Sequence, residues 1–132
     1  MSTTTHQAVT TPDAPAPVGP YNQAVQAGGW LYCSGQIPLD PATGAMVGGG
    51  DVEAETRQVL RNLKAVLSAA GTEAAKVVRT TVYLVDLADF QAVNAIYAEM
   101  FGSGVSPARA CVQVAALPKG SKVEIDCIAW LG

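Results

Sequence analysis

The stretch 106-SPARACVQVAALPKGSKVEIDCIAW-130 predicts two strands joined by a turn at residues 117–120. Both runs are apolar and rich in β-branched residues, and Pro118 suits the first corner of a turn. Each run is also interrupted by charge where core residues are expected, and the two positions that stand out are Arg109 in the first run and Glu124 in the second. Because an unpaired buried charge costs several kcal/mol, we expect both side chains to be paired, solvated or used for a ligand.

The spacing predicts a hairpin with two distinct faces. If residues 117 and 120 close a two-residue loop, Gln113 pairs with Glu124 and Arg109 with Ile128. Arg109 and Glu124 then lie about 13 Å apart along the hairpin, too far to cooperate within one chain. If they serve one ligand, one of them comes from a neighbouring subunit. The predicted apolar face carries Ala110, Val112, Val114, Val123, Ile125 and Cys127, and the semi-polar face carries Arg109, Cys111, Gln113, Glu124, Asp126, Ile128 and Trp130.

The rest of the chain alternates strand and helix patterns. Residues 21–27 and 30–34 predict a hairpin at Gly28-Gly29, and 45–47 a short strand. A helix runs from Asp51 to Gly71, a strand from 76 to 85, and a second helix from Asp86 and Asp89 to about Phe101. This order predicts an α+β two-layer sandwich, with a mixed sheet and both helices on one face. The helical period selects Val52, Val59, Leu60, Leu63, Val66, Leu67 and Ala70 in the first helix, and Phe90, Val93, Ile96, Tyr97 and Met100 in the second.

Length and composition indicate one domain. We expect the 132 residues to divide into a mobile tail over 1–13 and a single domain over 14–132. Only 14% of residues are charged and 49% are apolar, which favours oligomer interfaces. A net charge of −3 without a basic run argues against a nucleic-acid partner. Because no secretory signal or long apolar window is present, we expect a soluble, cytoplasmic protein with no membrane partner.

Cysteine and histidine usage excludes several kinds of site. Cys33, Cys111 and Cys127 are odd in number and form no CxxC motif, so neither a disulfide framework nor a zinc site is indicated. The single histidine, His6, excludes a Ser-His-Asp triad and a histidine-rich metal centre. We therefore expect no metal and no cofactor.

Four segments together resemble the successive motifs of a known family. They are APAPVGPYNQAV (14–25), LYCSGQIPLDPATG (31–44), TVYLVDLADFQAVNAIYAEMF (81–101) and SPARACVQVAALPKGSKVEID (106–126). They are similar to the Rid family, the YjgF-type reactive intermediate deaminases, and most closely to its RidA branch. The resemblance implies a chorismate-mutase-like fold and a homotrimer whose sheets form a barrel with active sites between subunits. The implied activity is hydrolysis of short 2-enamine and 2-imine acids (2-aminoacrylate, 2-iminopropanoate, 2-iminobutanoate) to 2-keto acids and ammonia.

The same resemblance assigns roles to individual residues. Arg109 matches a carboxylate-binding arginine, Glu124 a glutamate that positions water, and Tyr21 a further catalytic position. Asn22 and Ala116 depart from the commoner family residues and leave the preferred substrate size open. The remaining cleft positions, assigned to substrate binding together with Arg109, are Ser34, Gly35, Phe90, Asn94 and Cys111.

The residue types suit this chemistry. An imine acid presents a carboxylate beside an electrophilic carbon, and the planar fork of arginine can hold a carboxylate through two charge-assisted hydrogen bonds. A glutamate in a partly dehydrated cleft has a raised pKa, so it can take a proton from water and return one to the departing ammonia. A protonated imine is already electrophilic, so neither metal nor cofactor is required.

Each of these residues also has a purely structural interpretation. Arg109 could pair with Asp126 or an interface acid, and Glu124 could form an interface salt bridge. Cys111 could be a small buried hydrophobe, and Gly35 could serve only for its permitted dihedrals. Tyr21 could cap the first strand, Ser34 could satisfy a turn and Asn94 could bond within its helix.

Three other functions remain open at the level of the sequence. The first is a non-catalytic module that binds keto acids or other small carboxylates. The second is a chorismate-mutase-type isomerase, which would need several cationic groups where only Arg109 is evident. The third is an RNA-acting protein, against which the acidic charge balance argues.

Overall fold

A computed structural model of the chain describes residues 5–132, which form one six-stranded mixed sheet with two helices. The sheet order is β1-β2-β3-β6-β4-β5, and every neighbouring pair is antiparallel except β4 and β5. The predicted α+β class is therefore confirmed. The strands are β1 (Gln7–Val9), β2 (Ala24–Ala27), β3 (Trp30–Gln36), β4 (Val77–Leu84), β5 (Ala108–Gln113) and β6 (Val123–Trp130), and the helices are α1 (Val52–Ala69) and α2 (Phe90–Phe101).

Both helices pack on one face of the sheet, as predicted. Helix α1 is capped by the Asp51 side chain, which accepts a hydrogen bond of 3.0 Å from the Glu53 amide, and the chain leaves the helix through Gly71 at φ +80°. No helix within residues 5–132 is long and apolar enough to cross a membrane. One continuous core lies between helices and sheet; its fully or nearly buried members include Leu31, Val59, Leu63, Val66, Leu67, Val82, Leu84, Val93, Ile96, Phe101, Val123, Ile125 and Ala129.

The predicted hairpin between the last two strands is wrong. Strand β4 lies between them, so that Thr80 is level with Cys127 of β6 on one side and with Arg109 of β5 on the other. The connection is longer than a two-residue loop and contains a 3₁₀ turn at Pro118–Gly120. Beyond the turn, the buried Glu55 carboxylate of α1 accepts a 2.8 Å hydrogen bond from the Lys122 amide. This bond fixes the start of β6 away from β5.

This pairing reverses the predicted orientation of β5. Residues that are level in neighbouring strands share a face of the sheet, so Arg109 lies on the same side as the buried Thr80, the side that the helices cover. Glu124 is level with Tyr83 and lies on the opposite, open face. The prediction that Arg109 and Glu124 share a face is therefore wrong. Cys111 and Gln113 follow Arg109 to the helix side, whereas Ala110 and Val112 lie on the open face.

The N-terminal segment contains a strand that the sequence did not predict. Gln7–Val9 falls within the predicted tail but forms β1 on the edge of the sheet, paired with β2. The segment after β1 is held by the buried Gln23 amide, which bonds to the Thr11 N–H at 2.7 Å and to the carbonyls of Thr11, Ala14 and Pro15 at 2.9 to 3.1 Å. Residues 1–4 of the predicted tail lie outside the described residues.

Two smaller predictions concern the region before α1. The hairpin at Gly28-Gly29 is confirmed, since β2 and β3 pair from Ala27 and Trp30 outward. The predicted short strand at 45–47 reduces to a single bridge between Leu39 and Met46. The chain here is rich in turns, which leave no room for a longer ladder.

The second face of the sheet carries no helix, as predicted. It presents two large exposed side chains, Tyr32 (47% exposed) and Trp130 (51% exposed), together with Ile128. Glu124 and Asp126 lie among them on β6, and the Tyr83 hydroxyl donates a 2.9 Å hydrogen bond to Asp126. An exposed apolar patch with polar side chains beside it is typical of a surface that another chain covers.

Candidate active site

The first group of predicted site residues surrounds Arg109 at the β5 edge of the sheet. The Arg109 guanidinium lies over two aromatic rings of α2, with its carbon 4.8 Å from the centroid of Tyr97 and 5.5 Å from that of Phe90. Its Nη1 donates a 2.7 Å hydrogen bond to the Oδ1 of Asn94. Phe90, Asn94 and Tyr97 are four and three residues apart, so they share one face of α2. We call Arg109, Phe90, Asn94, Tyr97 and Cys111 the arginine group.

Arg109 forms no ion pair within the described part of the chain. The salt bridge found between residues 5 and 132 joins Arg57 to Glu99, on the outer surface of the helices. Asp126, the predicted structural partner of Arg109, lies on the opposite face and accepts from Tyr83 instead. That alternative is therefore wrong for the single chain. With one hydrogen bond donated to Asn94, the guanidinium has most of its N–H donors available for another acceptor.

Cys111 lies two residues beyond Arg109, on the same face of β5. Its side chain is half-buried and packs against the core. Burial raises the pKa of the thiol, and the charge of Arg109 offsets only part of this rise. Because the thiolate is the nucleophilic form, a raised pKa disfavours a nucleophilic role, and the contacts of this side chain fit a packing role.

The second group surrounds Glu124 and lines a cavity of ≈ 380 Å³. We call this cavity the glutamate cleft. One wall is the C-terminal end of β3, and another is the segment before β2, including Pro15 and Val18. The Pro118–Gly120 turn closes a third side. The predicted site residues that line the glutamate cleft are Tyr21, Ser34, Gly35 and Glu124.

Glu124 sits in an environment that disfavours its charge. Burial raises the pKa of its carboxyl group, and the negative charge of Asp126, two residues further along β6, raises it again. A raised pKa brings a carboxylate closer to the range in which it can both accept and return a proton near neutral pH.

Gly35 gives the Glu124 side chain its space. A Cβ atom at Gly35 would overlap the Glu124 carboxylate and would lie 2.8 Å from its Cδ. Gly35 is not among the glycines with a positive φ. The interpretation that Gly35 serves only for its dihedrals is therefore wrong, because close approach is what demands a glycine here.

Tyr21 and Ser34 are partly occupied by local hydrogen bonds. The Ser34 hydroxyl donates a 2.6 Å bond to the Asn22 carbonyl, and its backbone N–H donates to the carbonyl of Gln23. The Tyr21 hydroxyl oxygen accepts from the Val18 amide at 3.2 Å, which leaves its proton free for another acceptor. Ser34 thus forms local hydrogen bonds, as its structural interpretation expects. The Tyr21 hydroxyl keeps a free O–H donor in the lining of the glutamate cleft.

The two groups cannot meet in one chain. Arg109 and Glu124 are level with Thr80 and Tyr83 of β4, so they are three residues apart along the sheet and two strand spacings apart across it. Each of these offsets is about 10 Å, and the side chains leave opposite faces. The sequence-based conclusion that one chain does not bring them together therefore agrees with the structure, although the geometry behind it differs.

Proteins with similar sequences show which family this chain belongs to. The family model described as Endoribonuclease L-PSP matches residues 11–131. A 2-iminobutanoate/2-iminopropanoate deaminase of Mus musculus is 52% identical over 132 residues, covering 100% of this chain and 96% of the relative. The chain belongs to the Rid family. The resemblance seen in the four sequence motifs is confirmed.

Solved Rid structures share the fold. A Rid family protein of Yersinia pestis is 47% identical and superimposes with a TM-score of 0.93, covering 96% of this chain and 99% of that one. Escherichia coli TdcF, solved with bound serine, is 40% identical with a TM-score of 0.88, covering 94% and 98% of the two chains. The mixed sheet and two helices are therefore the Rid architecture.

Two residues next to the predicted site residues, Tyr97 and Asp126, were not themselves predicted as site residues. Tyr97 was assigned only to the core, although its spacing from Phe90 and Asn94 places all three on one face of α2. Asp126 was treated as a partner of Arg109 and not as the charge beside Glu124. Within residues 5–132, no cluster of three His, Cys, Asp or Glu side chains is arranged to hold a metal ion.

Proposed function

We propose that this protein hydrolyses short 2-imine and 2-enamine acids, such as 2-iminopropanoate and 2-iminobutanoate, to 2-keto acids and ammonia. The observation that carries the proposal is the unpaired Arg109 guanidinium, held by the neutral Asn94 amide and two aromatic rings. A fixed, uncompensated fork of this kind suits a carboxylate ligand. The name of the mouse relative and the serine bound to TdcF support the same ligand class, a small acid with nitrogen on the adjacent carbon.

We further propose that the active site forms between copies of this chain, in a homotrimer whose sheets form a barrel. The arginine group of one subunit would face the glutamate cleft of the next. The open, aromatic face of the sheet supports such packing, and so does the separation of Arg109 from Glu124 within one chain, because the two residues can serve one ligand only across subunits.

The mechanism follows from the groups in each half. Arg109 holds the substrate carboxylate, which places C2 of the imine toward the glutamate cleft. Glu124 takes a proton from water as the water oxygen bonds to C2 of the protonated imine and the C=N π electrons move to nitrogen, which gives a neutral amino alcohol. Glu124 then returns this proton to the amino group, ammonia leaves as the C2–N bond breaks, and the Glu124 carboxylate accepts the proton of the C2 hydroxyl as the ketone forms. The free proton of the Tyr21 hydroxyl can hold the water or the departing nitrogen.

The decisive test uses imine generated in place. An enzyme that releases 2-iminopropanoate would be run with semicarbazide as a competing trap, with and without this protein. The proposal expects faster loss of trappable imine with the wild type and none of this acceleration with Arg109→Lys, which keeps the charge but not the planar fork. Unchanged imine loss with the wild type would refute the deaminase activity.

The non-catalytic alternative predicts a different result. A keto-acid binding module would bind pyruvate without changing the rate of imine loss, so calorimetric titration of pyruvate beside the kinetic assay separates the two functions. The description of the family model also names an endoribonuclease. The net charge of −3 argues against RNA, and we expect no salt-sensitive RNA binding in a filter assay.

A further inference from the structure

Tyr97 is buried directly beneath Arg109 and is fixed from three sides. Only 7% of its surface is exposed. Its hydroxyl shares a 2.7 Å hydrogen bond with the hydroxyl of Thr80, which is fully buried in β4. Its ring lies 4.7 Å from the ring of Phe101, centroid to centroid, and its other neighbour is the Arg109 guanidinium. This side chain therefore has very little freedom to move.

We propose that Tyr97 is a positioning residue for Arg109, and that the Thr80–Tyr97 hydrogen bond sets where the guanidinium presents its free N–H donors. This inference rests on the proposed role of Arg109 as the carboxylate clamp. Tyr97 would hold Arg109 in its binding orientation before a ligand arrives.

The need for such a residue follows from the place of Arg109. The side chain is exposed on the edge strand β5 and lacks an ion pair within residues 5–132, so no charge partner holds it. A single bond to Asn94 fixes one nitrogen but not the plane of the fork. The ring of Tyr97 fixes that plane, because a guanidinium over an aromatic face is attracted by the π electrons and limited in tilt.

The Tyr97 hydroxyl has a structural role that an apolar side chain could not fill. Thr80 is level with Arg109 on the neighbouring strand, so the Thr80 hydroxyl lies beside the base of the arginine side chain. The bond between the two hydroxyls ties α2 to β4 at this point. A phenylalanine would keep the ring but lose this tie and leave the Thr80 hydroxyl buried without its partner.

The test compares pyruvate binding and imine hydrolysis in four variants. Tyr97→Leu removes the ring, Tyr97→Phe and Thr80→Val each remove one hydroxyl, and the Thr80→Val/Tyr97→Phe double variant removes both. For Tyr97→Leu we expect the pyruvate Kd and the imine KM to rise roughly three- to thirtyfold, with kcat changed less than twofold. For the two single hydroxyl variants we expect the pyruvate Kd and the imine KM to rise less, roughly two- to fivefold. The double variant should have a Kd and KM no higher than those of the single variant that binds less tightly.

Ile96→Ala is the matched control. Ile96 is a neighbour of Tyr97 on α2 and is 4% exposed, so its truncation also removes core volume, but Ile96 lines a cavity on the outer side of the helices and not the one that Arg109 and Tyr97 line. We expect a lower Tm with wild-type Kd and KM. The inference is overturned if Tyr97→Leu, assayed well below its Tm, binds pyruvate like the wild type, or if Ile96→Ala weakens binding equally. Should Tyr97→Leu not fold, the hydroxyl variants decide, and wild-type affinity in all of them overturns the inference.

Two outcomes separate this inference from the proposed function. If the wild type does not accelerate imine loss but Tyr97→Leu still weakens pyruvate binding, the deaminase activity fails and the positioning role stands. If the wild type hydrolyses imine and Tyr97→Leu is unaffected, the activity stands and the positioning role fails. A wild type that binds no pyruvate and no imine overturns both.

Discussion

Arg109 combines an exposed position with a fixed orientation, and its contacts within the chain leave its positive charge uncompensated. Its hydrogen-bond acceptor is the neutral Asn94 amide, and its other neighbours are aromatic rings. None of these compensates a positive charge as a carboxylate would. Sequence alone identified Arg109, Phe90 and Asn94 through the family resemblance, but the contacts among them depend on α2 packing over β5.

Replacement of the neutral Asn94 by a charged residue should prevent Arg109 from binding a ligand carboxylate. In Asn94→Asp, the new carboxylate would form an ion pair with Arg109 and compete with any ligand carboxylate. We expect pyruvate affinity to fall roughly tenfold or more, with little change in Tm. Calorimetry against Asn94→Ala checks this, because the alanine variant loosens Arg109 without neutralising it and should bind better than the aspartate variant. Equal affinities in the two variants would contradict the charge argument.

The raised pKa of Glu124 makes a prediction about pH. The carboxylate is the form that accepts a proton from water, so activity should fall as the pH drops through the pKa of Glu124, above the usual range for glutamate near 4.3. Glu124→Gln should bind pyruvate normally, lower kcat by roughly 10²- to 10⁴-fold and lose this acid limb. Rates are measured from pH 4 to 8 after subtraction of uncatalysed hydrolysis.

Asp126→Asn provides the matched control for that profile. Removal of the neighbouring negative charge lowers the pKa of Glu124, so the acid limb should move to lower pH. Burial is the larger cause of the raised pKa and remains in this variant, so the limb should not return fully to the ordinary range. An acid limb that stays at the wild-type pH would show that another group controls it.

At the scale of secondary structure, the periodicity of the sequence was sufficient to predict helices and strands but not which strands pair with each other. The apolar stripe of α1 and the β-branched run of β4 are local properties, and both were predicted correctly. The neighbours of β5 were not, because adjacency in sequence suggested a hairpin with β6. The succession β4-α2-β5 is the pattern of a parallel pair joined by a helical crossover, and this tertiary preference outweighs the turn signal at Pro118.

The start of α1 offers a test of local stability without a change in function. Asp51→Ala removes the oxygen that accepts from the Glu53 amide, so we expect the free energy of unfolding to fall by about 1 kcal/mol. Asp51→Asn keeps a side-chain acceptor and should be close to the wild type. Urea unfolding measures both variants. A substantial change in KM for Asp51→Ala would be unexpected, because Asp51 lines neither the glutamate cleft nor the arginine group.

For the whole molecule, the separation of Arg109 from Glu124 makes complementation the sharpest test of assembly. Arg109→Ala and Glu124→Ala should each be inactive alone. If the two variants are unfolded, mixed in equal amounts and refolded, a site that joins neighbouring subunits in a closed ring regains activity of about one quarter of the wild type. A site within one chain regains none. Sedimentation of the mixture establishes that the copies assemble, and no recovered activity in an assembled mixture would contradict the shared site.

The four hydrogen bonds that Gln23 makes to residues 11–15 have an evolutionary consequence. One buried amide holds the segment whose Pro15 and Ala16 border the glutamate cleft, and this segment contributes no residue to either helix. Sequence drift at position 23, or in the few residues after Pro15, can therefore enlarge or narrow this cavity while the sheet stays intact. If the proposed function holds, descendants of one ancestor can by this route come to prefer longer or shorter acids, with most of the scaffold inherited unchanged.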